Sequence, residues 1–435
     1  MLFHSRFDIL VKYVCIKDFL ANGREWSAFT KNLYEQHLKI MTSGTLREKE
    51  RSKVGLDSYL KTFASLELAC QKRDGIAQNI PSDLQGNPLD GAHRIACAIL
   101  HNRSISLVAD AQVGSPNYGF DWFCENNFSF NGYVINRILD DFPTLRLAIV
   151  WPSTKMQHEI VNRLPSKYLI KNISSIGEIP HNTVVNAYLG ESWLGSSCDG
   201  YSGAYDKVDC CFKVPDPIQI VLFDAVNQNV FKLKEELRRI AKVDKHSIHI
   251  TDNAEETREK ANIFLCSDFQ EWATFTKLNS SARYIRRLAK LKKDLSKAGF
   301  GKQDFVLTKG ACMEVFSLRQ ATDMDVVSFK CTDRTLSKFL EIEHSDETYV
   351  KEGFFEYQGV YCWSFNRLLV DRLSKDDEKS KEDVRLMGGD LKRSISFRVQ
   401  KQFSRKKQIL RRKILNLLVD LGAYEMVRKI YRKIK

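Results

Sequence analysis

Apolar side chains recur at helical spacing through the first 75 residues, so this part of the chain is predicted to be mostly helical. In the segment 26–41, WSAFTKNLYEQHLKIM, the stripe is formed by Trp26, Phe29, Leu33 and Leu38. The segment 56–72, LDSYLKTFASLELACQK, continues the pattern. Prolines and glycines then interrupt it in IPSDLQGNPLDGAHR, which predicts a short strand, a turn, a second strand and a loop that enters a helix over 95–100.

Strand and helix patterns alternate in the rest of the chain, which indicates a mixed α/β (α+β) fold. The predicted strands are RLAIVW (146–151), IQIVLFDA (218–225), HSIHITD (246–252), DFVLTKGA (304–311, ending in a loop) and DMDVVSF (323–329). The predicted helices are 228–243, 254–265 and 279–300, the second after an Asp/Asn N-cap at 252–253. The charged stretch DRLSKDDEKSKEDVRL is predicted to be a loop or a helix surface.

The net charge of +13 is confined to one end of the chain. Residues 391–435 contain 15 Lys and Arg against Asp420 and Glu425, so the other 390 residues are neutral overall. A uniformly basic nucleic-acid-binding body is therefore not indicated, and nucleic acid is not an expected partner.

The cysteines and the apolar runs indicate a reduced, cytoplasmic protein. The eleven cysteines are scattered and form no CxxC pair, which argues against a disulfide framework or a zinc site. No apolar run approaches the roughly 20 residues of a membrane span. The first residues, MLFHSRFDILVKYVCIKDFL, carry charges through their apolar part and do not have the pattern of a signal peptide.

The segment LDGAHRIACAIL (89–100) places Asp90, Gly91, His93 and Arg94 at the start of a helix. Backbone N–H groups and the helix dipole favour an anion there, and a guanidinium suits phosphate. His93 can bind the same anion or transfer a proton, and Asp90 can hold a metal or orient His93. The structural alternative is that Asp90 caps the helix and pairs with Arg94, with His93 on the surface.

The stretch GNPLDGAHRIACAIL resembles the phosphate-binding loop of the ParB-like and sulfiredoxin-like fold over about residues 75–110. The resemblance implies nucleotide binding or phosphate transfer, with Asp90 and His93 in the chemistry and Gly91 and Arg94 on phosphate. Ala92 stands where sulfiredoxin chemistry needs a cysteine, so a sulfinic acid reductase is not expected.

A second pattern joins Gly310 to Asp323 and Asp325. Alternate residues of a strand face the same side, so the two carboxylates can share one divalent cation with the phosphates of a nucleotide. The structural alternative is a pair of solvated residues at a strand edge.

The layout resembles the nucleotidyltransferase superfamily over about residues 300–375. The resemblance implies catalytic Asp323 and Asp325 that bind Mg²⁺, and a nucleoside triphosphate held near Gly310. The usual Gly-Ser is Gly310-Ala311 here, and Glu356 is the candidate for a third carboxylate.

The Gly- and Ser-rich middle segment, 186–212, and the strand end near 249 offer a possible substrate region. Its candidate residues are Glu191, Trp193, Lys207, His249 and Asp252. This composition suits an active-site lid or a sugar platform, and the alternative is a long ordered loop followed by a capped helix. The phrases YLGESWLG, KHSIHITD and LRQATDMDV resemble segments of proteins encoded with bacterial capsule and surface-polysaccharide enzymes.

The sequence predicts five parts: a helical segment (1–75), a ParB/sulfiredoxin-like module (76–145), a middle α/β region (146–275), a nucleotidyltransferase-like domain (276–390) and a basic amphipathic tail (391–435). The tail is expected to form basic helices that contact either an anionic membrane face or the protein itself. The expected function is nucleotide-dependent phosphoryl or nucleotidyl transfer to a sugar or polysaccharide precursor in bacterial surface-polysaccharide synthesis. The competing expectation is a catalytically degenerate nucleotide-binding scaffold or sensor at the inner face of the membrane.

Overall fold

The computed structural model describes residues 4–47, 53–72, 78–110, 117–330 and 340–388. The predicted basic tail, 391–435, lies outside the described residues. The described chain is a mixed α/β protein, about half helical, with three small sheets.

The helices and strands follow one another along the whole described chain. The helices are α1 (Phe7–Ala21), α2 (Ala28–Met41), α3 (Leu56–Lys72), α4 (Ala92–Leu100), α5 (Phe120–Glu125), α6 (Asn131–Asp141), α7 (Gln157–Arg163), α8 (Ile179–Ala187), α9 (Ser202–Cys211), α10 (Val230–Ala241), α11 (Ala254–Phe264), α12 (Phe269–Ala273), α13 (Ala282–Lys297), α14 (Lys309–Val315), α15 (Glu347–Lys351), α16 (Phe365–Leu373) and α17 (Glu378–Leu386). The strands are β1 (Ile80–Ser82), β2 (Leu107–Ala109), β3 (Leu145–Val150), β4 (Lys167–Ile173), β5 (Ile218–Asp224), β6 (Ile248–Ile250), β7 (Phe305–Leu307), β8 (Met324–Ser328), β9 (Leu340–His344), β10 (Phe354–Tyr357) and β11 (Val360–Trp363).

The N-terminal part is helical, as its periodicity predicts. Helix α1 is buried over most of its length and packs against α2, α3, α4 and α6. Ser27 caps α2 by accepting a hydrogen bond from the Thr30 amide. The small sheet that follows pairs β1 with β2 in parallel, and α4 lies between them in sequence. Helix α4 begins at Ala92, three residues before the predicted start.

The middle sheet has the strand order β4-β5-β3-β6, and every pairing in it is antiparallel. Its central strands β3 and β5 each carry a run of four apolar residues because both faces are covered: Leu147 and Ile149 belong to one core cluster, and Ala148 and Val150 to another. The predicted strands over 146–151 and 218–225 and the predicted helices over 228–243 and 254–265 are confirmed. The strand predicted over 246–252 is limited to β6, because Asp244–His246 forms a 3₁₀ turn.

The third sheet has the order β10-β11-β7-β8-β9. It is mixed: β7 and β8 are antiparallel, whereas β8 and β9 are parallel. The strand predicted over 323–329 and the helix predicted over 279–300 are confirmed. The strand and loop predicted over 304–311 are a strand only over Phe305–Leu307, because Lys309–Val315 forms α14 and Gly310 lies in that helix. The charged stretch near 371–386 is helical and contributes to α16 and α17.

The main hydrophobic cluster runs from α1 through the middle sheet to β11 without interruption, so it joins all three sheets. A smaller cluster lies between the second face of the middle sheet and helices α7 and α10. Ten cysteines lie in the described ranges, and all are free thiols. Among the helices described, none combines the length and hydropathy needed to cross a bilayer.

One histidine of this core has no polar partner. The His37 ring is fully buried between Tyr34 and Phe123, with nearly parallel planes and centroid distances of 5.9 and 5.6 Å. Neither ring nitrogen of His37 has a hydrogen-bond partner in the described structure. Burial, reinforced by the charge of Lys12, holds the pKa of His37 well below its usual 6.5.

We expect His37→Phe to weaken the pH dependence of stability. His37 stays neutral in the folded state but protonates in the unfolded chain below pH 6.5, so its contribution is complete above that pH and is lost as the pH falls. The loss between pH 7.5 and 5.5 is about 1.4 kcal/mol for one such histidine. Urea unfolding at both pH values measures it, and any packing cost of the phenyl ring cancels in the difference.

The exposed His158 on α7 provides the matched control, because His158→Phe should leave the pH dependence as it is in the wild type. The same stability difference between the two pH values in wild type and His37→Phe would contradict the prediction.

Candidate functional site

The loop before α4 changes direction at Gly91, which has a φ of +74°. This left-handed conformation is costly for residues with a Cβ. No side chain caps the helix, so Asp90 does not have the capping role of the structural alternative. The first backbone N–H groups of a helix have no partners within it, and they are therefore available to an anion.

Arg94 lies over this turn without an acidic partner. Its Nη2 would be 3.1 Å from a Cβ placed on Gly91. In the described structure, neither Arg94 nor Asp90 forms a side-chain hydrogen bond or ion pair, although Asp90 is exposed and Arg94 is half-buried. The expected Asp90–Arg94 pair is therefore absent from this part of the chain, and the guanidinium can accept an anion.

His93 is packed among aromatic side chains rather than lying on the surface. Its Nε2 is 2.6 Å from the Tyr34 hydroxyl, and its ring meets the Phe63 ring at a centroid distance of 4.7 Å. Burial, followed by the charges of Lys12 and Lys53, lowers the pKa of His93 well below 6.5. The imidazole is therefore neutral at pH 7, which does not suit a proton donor.

A buried ion cluster holds the approach to α4. Asp8 accepts two hydrogen bonds from Arg6, at 2.8 and 3.1 Å, and one from Lys12 at 2.9 Å. Arg6 also donates to the carbonyl of Pro88, three residues before the turn. Burial alone would raise the pKa of Asp8, but Lys12 and Arg6 lower it well below its usual range. Two cations share one carboxylate, so the cluster itself carries one net positive charge, and the exposed Asp90 acts on Arg6 with the opposite charge.

The second predicted site lies where β7 leads into α14 and faces β8. Asp325 on β8 accepts hydrogen bonds from the Gly310 amide at 2.8 Å and the Ala311 amide at 3.3 Å. A Cβ on Gly310 would lie 3.0 Å from the Asp325 carboxylate, so a glycine permits this approach. Burial and then the charge of Asp323 raise the pKa of Asp325. Gly310 and Asp325 are thus in contact, as their pattern in the sequence predicts, and Asp323 is close enough to repel Asp325.

Two cations that sequence analysis did not select flank this acid pair. Arg319 forms a bidentate ion pair with Asp383 of α17, at 2.5 and 2.9 Å, and Asp383 is almost fully buried. The hydrogen bond to Asp383 raises the pKa of Arg319, and the charges of Asp325 and Asp323 add to the effect. Lys309 pairs with Glu343 of β9. The sequence places Arg319 four residues before Asp323. It gives no sign of the ion pair with Asp383, which lies 64 residues further along the chain.

The third carboxylate proposed from the sequence is not near the pair. Glu356 lies on β10, which two strands separate from β8, and it pairs with Lys302 at 2.6 Å and Arg258 at 3.6 Å. The parallel register instead places the Cα of Glu341 beside that of Asp325. In the described part of the chain, no three His, Cys, Asp or Glu side chains form a group that could hold a metal.

Three of the five residues predicted for the substrate region converge on Tyr188, just after α8. Its ring centroid is 5.1 Å from that of Trp193 and 5.4 Å from that of His249, and the ammonium of Lys207 is 5.5 Å from it. The Trp193 ring is 44% exposed. Burial lowers the pKa of Lys207, which donates to the carbonyl of Lys245. Tyr188 is not among the predicted site residues, because nothing in the sequence except its place in a Gly-rich segment marks it as part of a site.

Glu191 and Asp252 have more ordinary roles. Glu191 is exposed at the start of a 3₁₀ turn, and Asp252 is exposed and pairs with Lys234. The cap of α11 is Asn253, whose side chain accepts from the Glu256 amide, so the assignment of Asp252 as the cap residue is wrong. The expected long loop also contains the helix α9 over 202–211, which buries Ala204 and Cys211 and packs against α8.

Comparison with known proteins adds no relative: no protein family, curated sequence or solved structure matches this chain significantly.

We expect Gly91→Ala to destabilise the protein more than Gly86→Ala. Both glycines have positive φ, +74° and +81°, so both substitutions carry a backbone cost of roughly 1–2 kcal/mol. Only at Gly91 would the new Cβ meet neighbours, Ile80 at 3.2 Å and Arg94 at 3.1 Å. The excess should be roughly 1 kcal/mol in urea unfolding. Equal losses in the two variants would show that the α4 turn is looser than described.

Proposed function

We propose that this chain is a cytoplasmic, Mg²⁺-dependent nucleotidyl- or phosphoryltransferase whose site is formed by Asp323, Asp325 and Gly310. The observation that carries the proposal is the contact of the Gly310 amide with the Asp325 carboxylate, with Asp323 two residues away. It brings the start of α14 next to the carboxylate pair at the start of β8, which supports the proposed nucleotidyltransferase-like site.

The donor set suits Mg²⁺ bound together with a nucleotide. Mg²⁺ is commonly held by one or two carboxylates, with phosphate oxygens and waters completing its octahedron. The absence of a third protein ligand from the described groups is therefore compatible with Asp323 and Asp325 as the metal pair. When bound, the ion would neutralise phosphate charge and orient the phosphates for transfer.

The side chains around the pair have defined tasks in this proposal. Arg319, oriented by Asp383, places a planar guanidinium next to Gly310, where it can bind a phosphate oxygen. Lys309 supplies a second cation and is released from Glu343 when it turns toward the phosphates. The Gly310 amide binds phosphate once Asp325 turns from it to the metal.

The α4 turn is a second phosphate site in this proposal, in line with its ParB/sulfiredoxin-like sequence. Arg94 and the free amides of α4 bind the anion, and the ion cluster below adds positive charge. Because His93 is neutral and packed among aromatic rings, in this proposal it accepts a proton or orients the anion and does not donate a proton. Trp193, Lys207 and His249 around Tyr188 form the surface for a sugar acceptor, and a surface-polysaccharide precursor is proposed from the sequence resemblance alone.

One observation favours the alternative of a catalytically degenerate nucleotide-binding scaffold or sensor. The amides of Gly310 and Ala311 are already bonded to Asp325, and Ala311 offers no hydroxyl to a phosphate. Such a protein would bind a nucleotide at the α4 turn and catalyse no transfer. The proposed contact of the 391–435 segment with a membrane belongs to this alternative and stays a prediction.

Calorimetric titration with ATP, CTP, GTP and UTP, each with and without Mg²⁺, tests the proposal. We expect one nucleotide to bind in a Mg²⁺-dependent manner, with at least about tenfold loss of affinity in Asp323→Asn and Asp325→Asn, because each removes a charged oxygen ligand. Asp376→Asn is the matched control, since this acid is fully exposed before α17.

The variants that lose nucleotide binding identify the site at which the nucleotide binds. Binding that survives Asp325→Asn but is lost in Arg94→Ala would place the nucleotide at the α4 turn and support the scaffold. No nucleotide binding to the folded wild type would overturn the proposal.

A further inference from the structure

A cleft of about 290 Å³ lies between α13 and the beginnings of β8 and β9, apart from the sites described above. Arg283, Arg287 and Lys290 supply three cations to its lining, and Leu291, Met324 and Leu340 supply an apolar wall. Its volume is near the lower end for small-molecule pockets, about 300 Å³.

The cleft and the acid pair lie on opposite faces of β8. Successive strand residues point to opposite sides, so Met324 faces the cleft while Asp325 faces Gly310. The register pairs Met324 with Leu340 on β9, and this pair forms one continuous apolar surface. A ligand in the cleft would therefore contact the strand that carries the acids without contacting their carboxylates.

The cations of the cleft are held by buried structure. Arg287 donates to the carboxylate of Glu314 at 2.5 Å and to the carbonyl of Ala321 at 2.8 Å. Glu314 is almost fully buried, and its second oxygen is 3.6 Å from the guanidinium of Arg283. Arg287 is thus oriented before any ligand arrives, which reduces the entropy that binding would cost.

The charge of the lining favours an anion. Among its lining residues, Arg283, Arg287 and Lys290 are accompanied by the acid Asp294, while the buried Glu314 pairs with the two arginines. Helix α13 exposes two further cations that do not line the cleft, Arg286 and Lys293. An apolar wall beside this charge suits an ester of phosphate better than a free inorganic ion.

We propose that the cleft binds a small phosphate monoester, with its phosphate on Arg283, Arg287 and Lys290 and its apolar part on Leu291, Met324 and Leu340. Direct contact with the cations makes this binding independent of Mg²⁺. The site therefore goes beyond the proposed nucleotide site and does not depend on it.

Titration of the full chain with phenyl phosphate in EDTA tests this site, with inorganic phosphate as the comparison. Phenyl phosphate should bind at least about fivefold more tightly, because only its ring covers the apolar wall. Arg283→Gln and Lys290→Gln should each weaken its binding about tenfold, the usual effect of losing one charge-assisted hydrogen bond.

Arg286→Gln and Lys293→Gln are the matched controls, since both residues are exposed on the same helix but do not line the cleft. They remove the same charge and should change affinity by less than about twofold. Equal losses in lining and control variants, or no binding of phenyl phosphate by the wild type, would overturn the proposal. Because EDTA removes the Mg²⁺ that the nucleotide site needs, failure of one proposal leaves the other intact.

Discussion

A pair of buried asparagines connects the three parts of the described chain. Asn136 of α6 and Asn262 of α11 exchange hydrogen bonds at 2.8 and 3.1 Å, and Asn262 also accepts from the Glu356 amide of β10. Each buried amide left without its partner would cost roughly 1–3 kcal/mol, so the three elements keep one relative placement. One turn earlier on α6, Gly132 permits close contact: a Cβ there would be 2.2 Å from the Phe354 carbonyl.

This junction explains why the hydrophobic core is continuous. Helix α6 packs on α1, α11 packs on β3, and β10 begins the third sheet, so the asparagine pair lies where the helical part, the middle sheet and the third sheet meet. Polar groups at such a place specify a unique arrangement because an apolar contact would tolerate sliding, whereas reciprocal amide bonds would not. The α4 turn and the acid pair are therefore parts of one packed body.

Three buried carboxylates are arranged in the same way, and the environment of Arg94 differs from theirs. Asp8, Glu314 and Asp383 are each almost fully buried, and each is shared by two cations. Pairing of this kind offsets the cost of burial, since an isolated buried charge is strongly unfavourable. Arg94 is half-buried and has no such partner in the described structure. A cation that the fold leaves unpaired beside free helix amides is the physical argument for an anion at that turn.

The sequence was sufficient where local forces decide the structure. Helices α10, α11 and α13 follow from periodicity, and β3 and β5 follow from apolar runs that both core clusters cover. The Gly310–Asp325 contact was accessible because one strand-helix-strand unit contains both residues. The rest depends on distant pairing: the anchor of Arg319 lies on α17, and three aromatic and polar side chains meet at Tyr188. Strand β9, with its alternating LEIEH, was not predicted although its pattern is typical of a strand.

The position of Asp325 determines whether the acid pair can act. Its carboxylate bonds to the two amides that a phosphate would need, and the charge of Asp323 disfavours its ionised form. In the proposed site, a phosphate alone would meet two like charges and two amides that are already bonded to Asp325, whereas a cation alone would have to draw Asp325 from two charge-assisted bonds. If the two bound together, the cation would neutralise the carboxylates that repel the phosphate. The phosphate would in turn accept hydrogen bonds from the two amides that Asp325 leaves. The proposed binding of Mg²⁺ and nucleotide would therefore be coupled, with each ligand raising the affinity for the other by the same factor.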